Sequence, residues 1–244
     1  FMTYSCINCQ RTFPYLNAWY ETYKDQGLEI IGIHTPEFAF EKSIDNVREA
    51  MKKFGITHPV VLDNDYGTWG AYGNNYWPRK YLIDIYGNIV YNHIGEGGYE
   101  ETERKIRETL EERKQILDLR QEIPEGLSET ETIATDAGSP EVYFGALRNA
   151  TLGNGASGKT GVQDLVAPRE VLPNTLYLAG SWDIQEEFAE AKSAGAKIVF
   201  RYSAKDVYLV ASAREPVSVR VLRDGEPLGE AGGADVRGGA VEVG

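Results

Sequence analysis

The chain has 244 residues, 42% hydrophobic and 25% charged, a balance that suits one large or two ordinary globular domains and excludes a disordered or collagen-like chain. A formal charge of −12, from 25 basic and 37 acidic side chains, argues against nucleic-acid partners, because displacing phosphate counterions needs clustered Lys and Arg. The longest apolar runs, at 28–33 and 59–62, are strand-sized and far short of the roughly 18 residues of a membrane-spanning helix.

Phe1-Met2-Thr3-Tyr4 runs straight into the first cysteine with neither a leader nor a full first strand, so the sequence reads as a piece of a longer protein. Next comes Cys6-Ile7-Asn8-Cys9, which holds both cysteines of the chain. Two cysteines cannot build a disulfide framework or a four-thiolate zinc site, whereas a C-x-x-C at a helix start suits thiol–disulfide exchange. One thiolate attacks, favoured by the unpaired N–H groups and dipole of the helix N-terminus; a second, three residues on, resolves the mixed disulfide. Cys6 is therefore expected to be the exposed nucleophile and Cys9 the more buried resolving thiol. Leu16, Trp19, Tyr20 and Tyr23 recur at helical spacing up to Gly27, predicting a helix from about Cys6 to Gln26 that bends at Pro14.

A strand is expected at 28–33, a capped helix from Ser43 to Phe54 with Ile44, Val47, Met51 and Phe54 on one side, and a second strand at 59–62. Segments 80–85 and 88–93 flank Tyr86-Gly87 as a hairpin, and a helix from about Tyr99 to Leu119 shows Ile106, Leu110 and Leu117 as its apolar face. His34, His58 and His93 stand apart in strand-like segments and read as packed or surface residues, so no metal is expected.

Residues 100–136 hold 12 acidic and 6 basic side chains and read as a solvated helix and linker. The linker proper, 121–140, has Pro124, Gly126, Gly138 and Pro140 but almost no apolar period. It offers nothing packed to couple two parts, so residues 1–120, supplied with a full first strand, are expected to work without the remainder. Beyond it the period becomes two, as in Ile198, Phe200, Tyr202 and Val217, Val219, Val221, with Asp224-Gly225 as a turn, so 141–244 reads as a β-sandwich, cut short at its end. Within it, Gly153 to Thr160 spells G-x-x-x-x-G-K-T, yet no helix pattern follows; it reads as a flexible glycine loop, and no nucleotide is expected.

The run from Thr3 to Pro14, then His34-Thr35-Pro36-Glu37-Phe38 and Trp77-Pro78-Arg79, resembles the redoxin domain of DipZ-type cytochrome c biogenesis proteins, in the thioredoxin-like group that includes TlpA. The family's first strand is expected to be missing. The resemblance implies an α/β thioredoxin-like fold over 1–120, a cis-proline at Pro78 presenting the site to extended substrate segments, and an active-site glutamate at Glu37 that takes the Cys9 proton. Trp69, Tyr72, Tyr76 and Trp77, close to Pro78, are candidates for the substrate groove, with a core role as the alternative. Tyr143-Phe144-Gly145, Leu178 to Trp182 and Ile198 to Tyr202 resemble the C-terminal module of the same proteins, a jelly-roll-like, carbohydrate-binding type of β-sandwich in which Trp182 is either a glycan contact or core. Together these imply a redox-active Cys6–Cys9 disulfide with no other cofactor, and protein disulfides as substrates, with cytochrome c maturation as one setting. They also imply an upstream membrane electron-transfer domain and an extracytoplasmic, membrane-tethered location. The rival reading is an idle thioredoxin scaffold whose sandwich binds glycans or a protein partner.

Overall fold

The computed structural model describes residues 1–124, 126, 128, 130 and 138–244. They form two compact units, Phe1–Lys205 and Asp206–Gly244. Half of the expected linker, 121–140, lies outside the described residues.

The first helix, α1, runs Ile7–Tyr23 and continues as one 3₁₀ turn, Lys24–Gln26, closed by Gly27 at φ +100. That turn requires a left-handed residue, which glycine supplies without strain. Pro14 lies inside the helix, and Phe13, Trp19 and Tyr23 are buried on its core face. Strand β1 is Gly32–His34, shorter than the apolar run 28–33, because Ile31 turns outward and is 57% exposed. Helix α2, Ile44–Lys53, is capped by the Ser43 hydroxyl, which accepts the Asn46 N–H at 3.4 Å. Val47 is buried on it while Ile44 is exposed, which narrows the expected apolar face. Strand β2 is Val60–Leu62, α3 is Gly67–Ala71, and β3, Arg79–Ile83, pairs antiparallel with β4, Ile89–Ile94.

β1 and β2 are parallel. The start of the chain joins this pair to β3. The Met2 N–H donates to Ile33 O at 2.9 Å and the Thr35 N–H to Met2 O at 3.1 Å; on the other side the Arg79 N–H donates to Phe1 O at 3.1 Å. Phe1 and Met2 thus take a strand's place in the middle of the sheet. Helix α4, Tyr99–Ile116, buries Ile106 and Leu110 against Trp19, Tyr23 and Leu28. Leu117 lies past its end and is 49% exposed, a correction to the expected apolar face.

The remainder of the first unit is one antiparallel sheet: β5 (Gly161–Leu165), β6 (Leu176–Ile184), β7 (Ala189–Ala191) and β8 (Lys197–Phe200), with β6 pairing all three others. Leu176, Leu178, Trp182 and Ile184 of β6 form its core with Leu152. Residues 153–160 lead into β5 rather than a helix. The loop is also tied down, correcting the flexible reading. The Gly158 N–H donates to Asn149 Oδ1 at 2.8 Å and the Ala156 N–H to Gln163 Oε1 at 2.8 Å, so the amides a phosphate would need are already engaged.

The second unit has β9 (Val217–Arg220) paired antiparallel with β12 (Ala240–Val243), and between them a hairpin of β10 (Leu222–Arg223) and β11 (Glu226–Pro227) turning at Asp224-Gly225. The fold is thioredoxin-like in its first half and sheet-rich in its second.

Candidate redox site

Cys6 is the N-cap of α1 and Cys9 lies inside its first turn, on the core face. Both are free thiols. Cys9 is wholly buried and Cys6 is 9% exposed, so Cys9 is the more buried of the two, but the expectation of an exposed Cys6 is corrected: both thiols are buried. Burial, reinforced by the hydrogen bond between the two thiols, pushes the Cys9 thiol well above its ordinary pKa, while the Thr3 N–H, 3.5 Å from its sulfur, acts in the opposite sense.

The segment leading into Cys6 is fastened by a carboxylate that sequence reasoning missed. Glu41, in the single 3₁₀ turn Ala39–Lys42, is fully buried and accepts five hydrogen bonds. Oε1 takes the Thr3 hydroxyl and the Ser5 hydroxyl (2.6 Å) and N–H (3.3 Å); Oε2 takes the N–H groups of Glu37 (2.5 Å) and Phe38 (2.8 Å). A buried carboxylate is tolerated when its lone pairs are filled in this way. One side chain thereby fastens the segment before Cys6 to the loop after β1. A sequence signal existed in the Thr3-x-Ser5 hydroxyls ahead of the cysteines, but nothing local said which of the nearby carboxylates they meet.

The Glu37 side chain has a different partner. Its Oε1 accepts Arg148 Nη1 at 2.6 Å, and its side chain is 10% exposed. Burial raises its pKa, and Arg148 works against that rise.

Lys80 is a second group that sequence reasoning passed over. Its Nζ donates to Gly95 O at 3.1 Å and lies 5.3 Å over the Tyr99 ring. Burial lowers its pKa to about 8, and the Cys9 sulfur opposes that fall electrostatically. An ammonium next to an arginine at the start of a strand looks like surface until the hairpin folds it inward.

The Trp77–Pro78 bond is cis. Trp77 packs against the cluster containing both cysteines, donates its indole N–H to Thr35 O at 3.0 Å, and lies 4.3 Å centroid to centroid from Trp69. Trp69 is half-buried, while Tyr76 is 49% exposed and Tyr72 37%. Trp182, by contrast, is in the core of the second sheet with its indole N–H on Ala179 O at 3.0 Å, so its ring offers no face to a sugar; the glycan contact is corrected to a core role. His34 and His58 are buried, and His93 Nε2 contacts Glu96 O at 3.2 Å. Among the described residues no group of three or more His, Cys, Asp or Glu is placed to hold a metal, and no helix is long and apolar enough to cross a membrane.

A dithiol at the head of a helix, on a sheet of this connectivity, defines a thioredoxin-like oxidoreductase. More particularly, the chain carries a Redoxin domain over residues 1–110 and a thioredoxin-like C-terminal domain over residues 139–244. It is similar to protein DipZ of Mycobacterium tuberculosis (strain CDC 1551 / Oshkosh), 39% identical over 227 residues that make up 93% of this chain and 32% of that protein. It spans about a third of that relative's length. It is also similar to the thiol-disulfide oxidoreductase YkuV of Bacillus subtilis (strain 168), 27% identical over 46% of this chain and 75% of that protein. A solution structure of a thioredoxin-like protein in the oxidized form matches 46% of this chain and 75% of its own at 27% identity, with a TM-score of 0.43.

Proposed function

We propose that this chain reduces disulfides in extracytoplasmic proteins, with residues 1–120 as the redox domain, 121–140 as linker and 141–244 as the sheet domain. The observation that carries it is the pair of free thiols of unequal burial at the head of α1. The Cys6 thiolate attacks one sulfur of the substrate disulfide, whose S–S bond breaks as the other sulfur leaves as thiolate. The Cys9 thiolate then attacks Cys6 and expels the second substrate sulfur. Two electrons have passed to the substrate, and Cys6 and Cys9 are joined as a disulfide. Pro78, with Trp77, Trp69 and Tyr76, receives the extended segment around the substrate cysteine.

Resolution is the harder step, because the proton on Cys9 is held in a dry site. Glu37, a partly desolvated carboxyl, takes it up, and the Lys80 ammonium favours the sulfur anion left behind. An upstream membrane domain re-reduces the disulfide, the longer protein is tethered to the outer face of the membrane, and apocytochrome c disulfides are one substrate class. The glycan arm of the idle-scaffold alternative loses its one named contact, because the Trp182 ring is in the core. The test is reduction of a protein disulfide by the wild-type chain and by Cys6→Ser and Cys9→Ser. Cys6→Ser is expected to be inert and Cys9→Ser to stall as a mixed disulfide; turnover by Cys6→Ser would overturn the reading.

A further inference from the structure

The contact between the two halves of the first unit falls on the loop that carries Glu37. On the sheet side, the turn at Gly145–Arg148 is pinned to the β6–β7 turn: the Ala146 N–H donates to Gln185 O at 2.8 Å and the Leu147 N–H to Glu186 O at 3.0 Å. Gly145 lies so close that a Cβ there would come within 2.2 Å of the Glu187 carbonyl carbon. From this turn Arg148 reaches across, its guanidinium carbon 3.9 Å from the centre of the Tyr143 ring and its Nη1 on Glu37. Glu187 adds a second link by accepting the Ala39 N–H at 3.1 Å. A cavity of about 390 Å³ opens here, and Trp77 forms part of its wall. Side chains therefore connect the halves directly, beside whatever the linker contributes.

We propose that Arg148 is a positioning residue for the redox reaction, holding the Glu37 carboxylate in place and in charge, so that the sheet domain completes the site that the thioredoxin-like half begins. The proposal rests on the reading of Glu37 as the proton acceptor in resolution. Arg148 is the cation facing Glu37. The other groups around it are the carboxyls of Glu41, Glu141, Glu186 and Glu187 and the phenols of Tyr66 and Tyr143, none of which stabilises a negative charge as a cation does. Without Arg148, the carboxyl would be surrounded by acids and would hold its proton to higher pH.

The test uses the full 244-residue chain with Arg148→Met, which keeps the length, and Arg148→Lys, which keeps the charge but not the fork. The first measurement is the Glu37 carboxyl titration by carbon-13 NMR. It is expected to move up by about one pH unit in Arg148→Met and by less than half of that in Arg148→Lys. The second is the pH profile of resolution of a preformed mixed disulfide between Cys6 and thionitrobenzoate, whose acid limb is expected to move by the same amount with an unchanged plateau. A Glu37 titration unmoved in Arg148→Met, with the fold intact by circular dichroism, overturns the proposal. If the titration moves but Glu37→Gln resolves at the wild-type rate, Arg148 does hold Glu37 and it is the proton-acceptor reading that fails.

Discussion

Glu37 and Glu41 stand four residues apart on one loop and live in different surroundings. Glu41 is the buried floor to which the segment before Cys6 is fastened, with five donors, every one of them from residues 3–38. Glu37 lies at the rim, held by one arginine from the sheet domain. A carboxylate with its lone pairs filled by fixed donors is a structural anchor, because changing its charge breaks several bonds at once. One with a single, half-exposed partner can lose and regain a proton at small structural cost. The floor of the site is therefore built for permanence and its rim for exchange, and the two sulfurs divide in the same way.

The largest expected effect bears on the sulfurs. Cys6→Ser should lower disulfide reductase activity about a thousandfold or more, since the other thiol, Cys9, is wholly buried. In the reduced wild type, Cys6 should alkylate at least about tenfold faster than Cys9 at pH 7, read by mass spectrometry with iodoacetamide. Equal rates would erase the distinction between rim and floor.

Glu41→Gln keeps the shape but turns an acceptor oxygen into a donor facing N–H groups. It should cost about 3 kcal/mol of folding stability in urea titrations. A loss below about 1 kcal/mol would show that the floor is not the anchor described.

Lys80 gives the floor a pH signature. Its pKa falls from 10.5 to about 8 on folding, so between those values the unfolded chain binds more protons and this residue's contribution to stability rises with pH. Lys80→Met should therefore be more stable than wild type at pH 7, by at most about 3 kcal/mol, with the gap closing as pH approaches 10.5. A constant gap would mean that the ammonium is not desolvated.

The smallest effect is at the rim. Glu37→Gln should slow resolution of a trapped mixed disulfide about tenfold while leaving the first attack by Cys6 unchanged. Stopped-flow rates for the two steps decide; equal slowing of both would point to a distorted loop rather than a lost proton acceptor.

The sequence announces the dithiol because its chemistry is local: two cysteines three apart at a helix start. Helices with capping residues and the Asp84–Asn88 hairpin are equally local and read correctly within a few residues. What it hides is long-range and polar. The meetings of Thr3 with Glu41 and of Arg148 with Glu37 span 38 and 111 residues, and nothing in hydrophobic period or spacing selects one glutamate over another. Glu37 stands out by resemblance alone, whereas Glu41 is visible only once its turn closes on Thr3 and Ser5. Trp182 was undecided for a related reason: an aromatic in an alternating strand fits either face, and register alone tells which.

Trp77 has a practical corollary. Its ring leans on the sulfur-bearing cluster while Trp19 and Trp182 are enclosed in clusters that hold no cysteine. Light emission from an indole is sensitive to a thiol at van der Waals range and to its conversion into a disulfide. The chain thus carries its own optical gauge, one lamp beside the electrons with Trp69 packed close to it and two shielded from them, so oxidation can be followed in real time without a dye, with Trp77→Phe as the blank.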